Sequence, residues 1–319
     1  MVNNVIRLPY QSRDEWLSIR NTGIGGSDAA AALGLNPYKS PLALYLEKRG
    51  EVEPDDLSDN DAVRWGAILE DVIADEYARR TGRKVRRVNR VLQHPQHKWM
   101  LASLDRDVVG EDRILEVKTA GVQMASTWGE VGTDAVPAQY LIQAMHYLAV
   151  TGASVCDIAV LIGGRDFRIY EIARDDELIA SIIQIEGGFW SAVQMGLAPE
   201  PRSLSDMAAL FPRALESAAV EADEMTLSRC RELAAIKAEI KALEDAAEVH
   251  EIEIKRAIGD AARLLADGAE VATWKSVSSS RFDGKRFAAD HPDMDKHYRT
   301  TSESRRFVLK VKADREVKS

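Results

Sequence analysis

Residues 113–121, with the sequence RILEVKTAG, carry the pattern that most restricts the fold. In an extended strand, side chains two positions apart share a face. Ile114, Glu116 and Lys118 therefore lie on one face, and Leu115, Val117 and Thr119 lie on the other. The second face is apolar and needs a layer of helix or sheet against it. We expect a sheet strand that buries one face and presents a carboxylate and an amine on the other.

The Glu-x-Lys spacing occurs four times, so its context decides which copy can form a site. Two copies, at 239–241 and 253–255, lie in a helical segment, where residues i and i+2 point in different directions. The copy at 316–318 lies at the C-terminus of the sequence, where order is usually low. Only Glu116 and Lys118 share a face of a predicted strand.

A second carboxylate is expected close to Glu116. Asp105 precedes it by eleven residues, and the segment 110–113 (GEDR) has the residue types of a turn, so a returning strand places Asp105 beside Glu116. Carboxylate and carbonyl oxygens are the ligands that Mg²⁺ prefers. Lys118 can then orient a water molecule or stabilise charge on a phosphate. The pattern predicts a magnesium site.

Two helical segments offer further candidates. Glu70 lies one turn after Gly66 in the predicted helix 61–81 and is either a third metal ligand or one of several exposed acids there. In the helix that begins at Pro137, Gln143 and Tyr140 can support the centre, because an amide both donates and accepts hydrogen bonds. The alternative is a polar stripe on that helix.

A glycine-rich turn near the N-terminus predicts an anion site. Arg20 precedes the segment TGIGGSD, in which a helix is expected to begin near Ser27. Backbone N–H groups at a helix start, together with Arg20 and the Ser27 hydroxyl, suit a phosphate. Ser27 can equally be a simple N-cap. A Walker loop is excluded, because no Gly-Lys-Ser/Thr follows.

The remaining pattern divides the chain into three parts. Residues 1–203 read as a mixed α/β domain, 204–270 as a helical extension with a coiled-coil seam, and 271–319 as a tail of short strands. The tail carries 12 basic and 7 acidic residues although the whole chain has a net charge of −9. Helices are predicted at 40–50, 61–81, 137–150 and 175–196, strands at 84–93, 98–104, 105–110 and 113–119, and a hairpin with a Gly-Gly turn at 163–164.

Composition excludes several classes of protein. Hydrophobic residues make up 45% and charged residues 29% of the 319 residues, as in ordinary globular domains. We expect no membrane span and no secretory signal, and therefore a cytoplasmic location. The two cysteines, Cys156 and Cys230, predict neither a disulfide framework nor a cysteine-based zinc site.

Five short motifs together resemble those of the phage recombination exonucleases. In chain order they are Arg-(x)6-Ser, Trp-Gly-x-x-x-Glu, Ser-x-Asp, Leu-Glu-x-Lys and Pro-x-x-Tyr-x-x-Gln, spread over roughly residues 10–200. The order is similar to that of lambda exonuclease and the YqaJ-type alkaline nucleases of the PD-(D/E)xK superfamily. One position departs from the superfamily pattern, since Leu104 stands where a proline usually precedes the aspartate.

The resemblance implies an α/β nuclease core with a central mixed β-sheet flanked by helices. It implies a 5′-to-3′ exonuclease that digests one strand of double-stranded DNA by two-metal hydrolysis and leaves a 3′ overhang. Two Mg²⁺ ions are the implied cofactors, with Mn²⁺ expected to substitute. The roles carried over are metal ligation (Glu70, Asp105, Glu116 and the Val117 carbonyl), water activation (Lys118), support of the centre (Gln143, Tyr140) and binding of the 5′-phosphate (Arg20, Ser27, Ser103, Gln143).

The resemblance also implies partners. A homotrimeric ring around duplex DNA with a 5′-phosphate end and a single-strand annealing protein are expected. Two other functions stay open: an endonuclease of the same superfamily, and a DNA-binding or scaffold protein without activity. For the tail, contact with DNA or with the annealing partner is one hypothesis, and a packing or oligomerisation element is the other.

Overall fold

The computed structural model describes residues 5–54, 59–301 and 303–311. The chain divides into two compact units after Leu210, seven residues beyond the boundary expected at 203. The helices of the first unit are α1 Arg13–Arg20, α2 Gly26–Ala32, α3 Pro41–Lys48, α4 Asp61–Thr81, α5 Ala138–Thr151, α6 Asp176–Met195 and α7 Leu204–Leu210. Its strands are β1 Ile6–Leu8, β2 Ile24–Gly25, β3 Val85–Arg87, β4 Val91–Gln93, β5 Met100–Ala102, β6 Arg106–Val108, β7 Arg113–Ala120, β8 Val155–Ile162 and β9 Asp166–Ala173.

A five-stranded mixed sheet forms the centre of the first unit, in the order β3-β6-β7-β8-β9. Strands β7 and β8 are parallel over eight residue pairs, and every other neighbouring pair is antiparallel. The parallel pair needs a crossover, which α5 supplies. The β8–β9 hairpin turns at Gly163 and Gly164, which both have positive φ, as the Gly-Gly signal predicts.

Helices cover both faces of this sheet. On one face, Ile73, Ala74 and Tyr77 of α4 pack against Leu115 and other buried strand residues. On the opposite face, α5 packs against the strand residues Ile114, Cys156, Ile158 and Val160, which lie in the largest hydrophobic cluster. Each face of β7 therefore carries the residues that the alternation predicts for it. The α/β architecture with a central mixed sheet between helices is confirmed.

A smaller four-stranded sheet, in the order β1-β4-β5-β2, lies beside the central one. It explains two corrections to the sequence interpretation. The single strand predicted over 84–93 is two strands in different sheets, because residues 88–90 leave the ladder between β3 and β4. The strand predicted at 98–104 contains β5, which pairs with β4 and β2, so the strand that returns to β7 is β6.

Local sequence signals fix the helices near the candidate site. Ser40 caps α3 by accepting from the Ala43 N–H at 3.0 Å, with Pro41 as the first residue. Asn60 caps α4 in the same way, and Gly82 ends it in the left-handed conformation. The predicted bounds 61–81 for α4 are confirmed.

The second unit contains a helix of 35 residues, α8 Glu224–Ile258, followed by β10 Arg263–Ala266, β11 Ala269–Thr273, α9 Gly284–Asp290 and α10 Pro292–Tyr298. Strands β10 and β11 form a hairpin across Asp267 and Gly268, both with positive φ. The helical arm is confirmed. The tail differs from its prediction: of residues 271–319, those the structure describes form the end of β11 and two short helices rather than a series of strands. None of the helices in the described ranges is long and apolar enough to cross a membrane.

Candidate active site

Strands β6 and β7 bring the two predicted carboxylates together. Their register pairs Arg106 with Leu115, so Asp105 stands opposite Glu116. The Val117 N–H donates to Oδ2 of Asp105 at 2.8 Å, which holds the aspartate at the start of β6. This hydrogen bond from a backbone N–H of β7 thus fixes the position of the Asp105 side chain beside that strand.

Lys118 and Gln143 complete this cluster. The Lys118 Nζ donates to Oε1 of Glu116 at 2.7 Å and to Oε1 of Gln143 at 3.1 Å. The Gln143 Nε2 donates to the same Glu116 oxygen at 2.7 Å. The amide uses its donor for the carboxylate and its acceptor for the ammonium, which locks both charged groups in place. Tyr140 lies on the same helix with its ring 5.0 Å from the Lys118 Nζ.

The electrostatics of the cluster are those of a crowded, buried site. Burial raises the pKa of Asp105 well above its ordinary value, and the negative charge of Glu116 raises it further. Burial acts to lower the pKa of Lys118, but the charges of Glu116 and Asp105 outweigh it and raise that pKa. Two carboxylates thus share one ammonium in a place shielded from water.

One oxygen in this cluster has no hydrogen-bond partner. Glu116 is buried, with 5% of its surface exposed, and its Oε2 atom is without a partner among the described residues. Glu116 and Asp105 line a cavity of about 250 Å³ with Glu70, Gly66 and Lys118. An unpaired buried carboxylate oxygen is costly, and hard cations bind such oxygens. The donor set therefore fits a divalent metal ion.

Glu70 reaches the cavity but is held by another partner. The Arg106 guanidinium, which is buried, donates to Oε1 of Glu70 and also to Oδ1 of Asp71, both at 2.5 Å. The same group donates to the Asp105 carbonyl at 2.6 Å. Within the described ranges, no three Asp, Glu, His or Cys side chains converge as a metal-binding group. The third expected ligand is thus an ion-pair partner in this arrangement.

The predicted phosphate residues form a second cluster. The Arg20 Nη2 donates to Oγ of Ser27 at 2.8 Å, and its guanidinium lies 4.7 Å from the ring of Trp16. The Trp16 Nε1 in turn donates to Oγ of Ser103 at 3.2 Å. The structure therefore brings Arg20, Ser27 and Ser103 into one neighbourhood.

A buried ion pair beneath this cluster was not expected from the sequence. The Asp28 carboxylate lies 2.8 Å from Lys48 Nζ and 3.6 Å from Arg20 Nη2. Burial acts to raise the pKa of Asp28, but the charges of Lys48 and Arg20 lower it overall. Asp28 also accepts from the Gly25 N–H at 3.2 Å, so this backbone donor already has a partner. Two cations against one carboxylate leave a net positive charge.

Tyr147 connects the two clusters. Its hydroxyl donates to the Ser103 carbonyl at 2.9 Å and accepts from Gln143 Nε2 at 3.2 Å. Since Tyr147 follows Gln143 by one turn of α5, the i, i+4 spacing was a signal available in the sequence. No such sequence signal pointed to Arg106, because its burial depends on the packing of α4 against the sheet.

The sequence matches the model of the YqaJ-like viral recombinase domain over residues 15–154. The protein YqaJ of Bacillus subtilis (strain 168) is 38% identical over 306 residues, covering 94% of both chains. A shorter match, 28% identical over 159 residues, covers 46% of this chain and 28% of protein R354 of Acanthamoeba polyphaga mimivirus. An alkaline exonuclease (LHK-Exo) from Laribacter hongkongensis is a solved structure with 20% identity and a TM-score of 0.47, covering 58% of this chain and 94% of that one.

The similarity to YqaJ extends through both compact units, so the shared ancestry includes the helical arm and the tail as well as the α/β unit. The resemblance to YqaJ-type proteins is confirmed. The chain belongs to the YqaJ-like viral recombinase family.

Proposed function

We propose that this protein is a Mg²⁺-dependent 5′-to-3′ exonuclease of double-stranded DNA that prepares 3′ overhangs for strand annealing. The observation that carries the proposal is the convergence of Asp105, Glu116 and Lys118, with a buried Glu116 oxygen that has no hydrogen-bond partner among the described residues. Membership of a recombinase family supports DNA as the substrate.

Asp105, Glu116 and the Val117 carbonyl would hold Mg²⁺, and Glu70 would be an additional ligand if two ions bind. Bound Mg²⁺ supplies electrostatic stabilisation of the phosphate charge that develops during hydrolysis. Lys118 orients the attacking water through its ammonium, and Gln143 holds Lys118 and Glu116 in their hydrogen-bonded positions. Glu70, which is paired with Arg106 in this structure, would have to leave that arginine to become a ligand.

End recognition is assigned to the second cluster. The net positive charge of Arg20 and Lys48 against Asp28 favours a terminal phosphate, and the Ser27 hydroxyl adds a donor. The chain of bonds from Ser103 through Tyr147 to Gln143 sets the distance between the bound end and the reacting centre. A site for the 5′-phosphate favours an exonuclease over an endonuclease.

The test is digestion of a linear duplex labelled at the 5′ or the 3′ end, beside a closed circle, with and without Mg²⁺. We expect Mg²⁺-dependent release of 5′-labelled mononucleotides and an intact circle. Asp105→Ala and Lys118→Ala should each abolish cleavage while DNA binding persists. Cleavage of the circle would establish the endonuclease instead, and binding without any cleavage would establish a non-enzymatic function.

The 5′-phosphate assignment has its own test. Arg20→Ala should lower the preference for 5′-phosphorylated over 5′-hydroxyl ends. Arg49→Ala, which removes an exposed arginine paired with Glu51, should leave that preference unchanged. We also propose a homotrimer and a single-strand annealing protein as partner, which a native mass measurement and a binding assay with the annealing protein check.

A further inference from the structure

A cleft lined by arginines lies beside the candidate active site and shares no lining residue with it. Its volume is about 380 Å³, and its lining includes Arg7, Arg86 and Arg90 and, among the described residues, the single carboxylate of Asp107. Arg7 comes from β1, Arg86 from β3 and Arg90 from the residues that follow β3. Elements of two different sheets thus place three arginines around one opening.

The charge in the cleft contrasts with that of the chain. The protein as a whole has a net charge of −9, so three arginines against one aspartate is a local reversal of sign. Arg86 has a carboxylate partner, Asp107. Arg7 and Arg90 are exposed and form no salt bridge with any residue in the described part of the chain. Two cationic groups are therefore available to an anion.

Neighbouring residues of the chain line the cleft and the candidate centre. Leu104 lines the cleft and Asp105 lines the catalytic cavity. Ile114 of the cleft and Glu116 of the centre are two positions apart on one face of β7, a separation of about 7 Å. That is roughly two nucleotides along one strand of B-form DNA.

The floor of the cleft is apolar, with Val5, Leu92, Leu104 and Ile114 from the main hydrophobic cluster. No aromatic side chain lines it, so base stacking is not the basis of recognition. Guanidinium groups around an apolar floor suit a sugar–phosphate backbone, because each arginine can bind a phosphate in bidentate fashion while the sugars contact the floor.

We propose that this cleft binds a second stretch of nucleic-acid backbone, away from the terminal phosphate, and so lengthens the DNA footprint beyond the end being cut. The inference rests on the proposed function for the identity of the polymer. Arg7 and Arg90 make the phosphate contacts, and Asp107 orients Arg86 at the entrance.

The experiment measures affinity for a DNA duplex and for a single strand over a series of salt concentrations, without divalent metal. The full-length Arg7→Gln/Arg90→Gln variant should bind several-fold more weakly, and the slope of log K against log salt should fall by about 1.5, as expected for two lost phosphate contacts. The control, Arg79→Gln/Arg80→Gln, removes the same charge from the last turn of α4, where both arginines pair with Glu76, and should keep the wild-type slope.

Equal slopes for the cleft variant and the wild-type protein would overturn the proposal, even if the protein digests DNA. If the wild-type protein cuts no DNA and the cleft variant still binds DNA more weakly than the wild type, the cleft assignment stands and the proposed nuclease activity is rejected. Displacement of the oligonucleotide by inorganic phosphate at constant ionic strength would also overturn it, because the site would then be one for a small anion.

Discussion

The buried guanidinium of Arg106 in the central sheet binds the carboxylate of Glu70 on the helix that covers one face of that sheet, at 2.5 Å. Arg106 is 4% exposed and belongs to β6, whereas Glu70 belongs to α4. The same guanidinium contacts Asp71 and the Asp105 carbonyl. A single side chain thus joins the helix to the strand that begins directly after Asp105, a candidate metal ligand.

Arg106→Gln should destabilise the fold and misplace Glu70. Removing one member of a buried ion pair costs roughly 3–5 kcal/mol, and the partial exposure of Glu70 and Asp71 reduces this to about 2 kcal/mol. Chemical denaturation measures the loss. Arg87→Gln is the matched control, because Arg87 pairs with Asp71 at the surface, where the loss of one partner changes the free energy of unfolding little. Similar losses for the two variants would show that Arg106 has no special role.

Tyr147→Phe should slow catalysis while leaving the fold intact. The variant loses the donor to the Ser103 carbonyl and the acceptor for Gln143. A hydrogen bond of this kind contributes about 0.5–1.5 kcal/mol, so kcat should fall roughly 2- to 10-fold. Tyr147 positions Gln143, so its loss acts on kcat more than on KM. Tyr45→Phe, in the separate hydrophobic cluster around α3, should leave kcat unchanged; an equal effect there would reject the positioning role.

Gly26→Ala tests the close approach of α2 to α5. A Cβ atom at position 26 would lie 2.2 Å from Cε1 of Tyr147, so the tyrosine has to shift. We expect a loss of roughly 1–3 kcal/mol in the free energy of unfolding and a lower cleavage rate. Gly188→Ala, in helix α6 with open space around it, should instead gain about 0.5–1 kcal/mol. Thermal or denaturant unfolding of both variants measures whether the free energy of unfolding falls for Gly26→Ala and rises for Gly188→Ala. Unchanged stability of Gly26→Ala would reject the contact.

Sequence patterns predicted the parts of the site that depend on local geometry. The faces of β7 follow from a period of two residues, and the position of Asp105 follows from a turn after a short strand. The bounds of α4 follow from its caps. These features depend on neighbouring residues in the chain, which a single sequence displays.

The parts that the sequence did not predict depend on contacts between distant segments. The pairing of Arg106 with Glu70 joins residues 36 positions apart, and Asp28 is compensated by Lys48 only because α2 and α3 pack together. The break after β3 was missed because valines, which favour strands, recur on both sides of it at positions 85, 88 and 91, although the chain there passes to a second sheet. The residue pattern of one segment does not show which distant segments pack against it in the fold.

The pair His146–Glu186 should make stability depend on pH. Both side chains are fully buried; the Nδ1 of His146 lies 2.9 Å from Oε1 of Glu186, and its Nε2 lies 2.9 Å from the Leu101 carbonyl. Because both ring nitrogens face acceptors, this arrangement favours the cationic ring, which carries a hydrogen on each nitrogen. Burial acts to lower the pKa of His146, but the charge of Glu186 outweighs it, and the pKa is raised overall.

A raised pKa in the folded state stabilises the fold fully below the unfolded value of about 6.5. This contribution is lost as the pH rises from there through the folded pKa, by at most about 1.4 kcal/mol per pH unit, because the native state then holds a proton that the unfolded state has released. In Glu186→Gln the amide can donate to a neutral His146 ring, so the decrease in the free energy of unfolding with rising pH should disappear. Denaturant unfolding of both proteins between about pH 6 and 8 measures the difference. Glu177→Gln, an exposed acid on the same helix, should retain the wild-type slope, and parallel curves for Glu186→Gln and wild type would show that His146 is neutral in the folded protein.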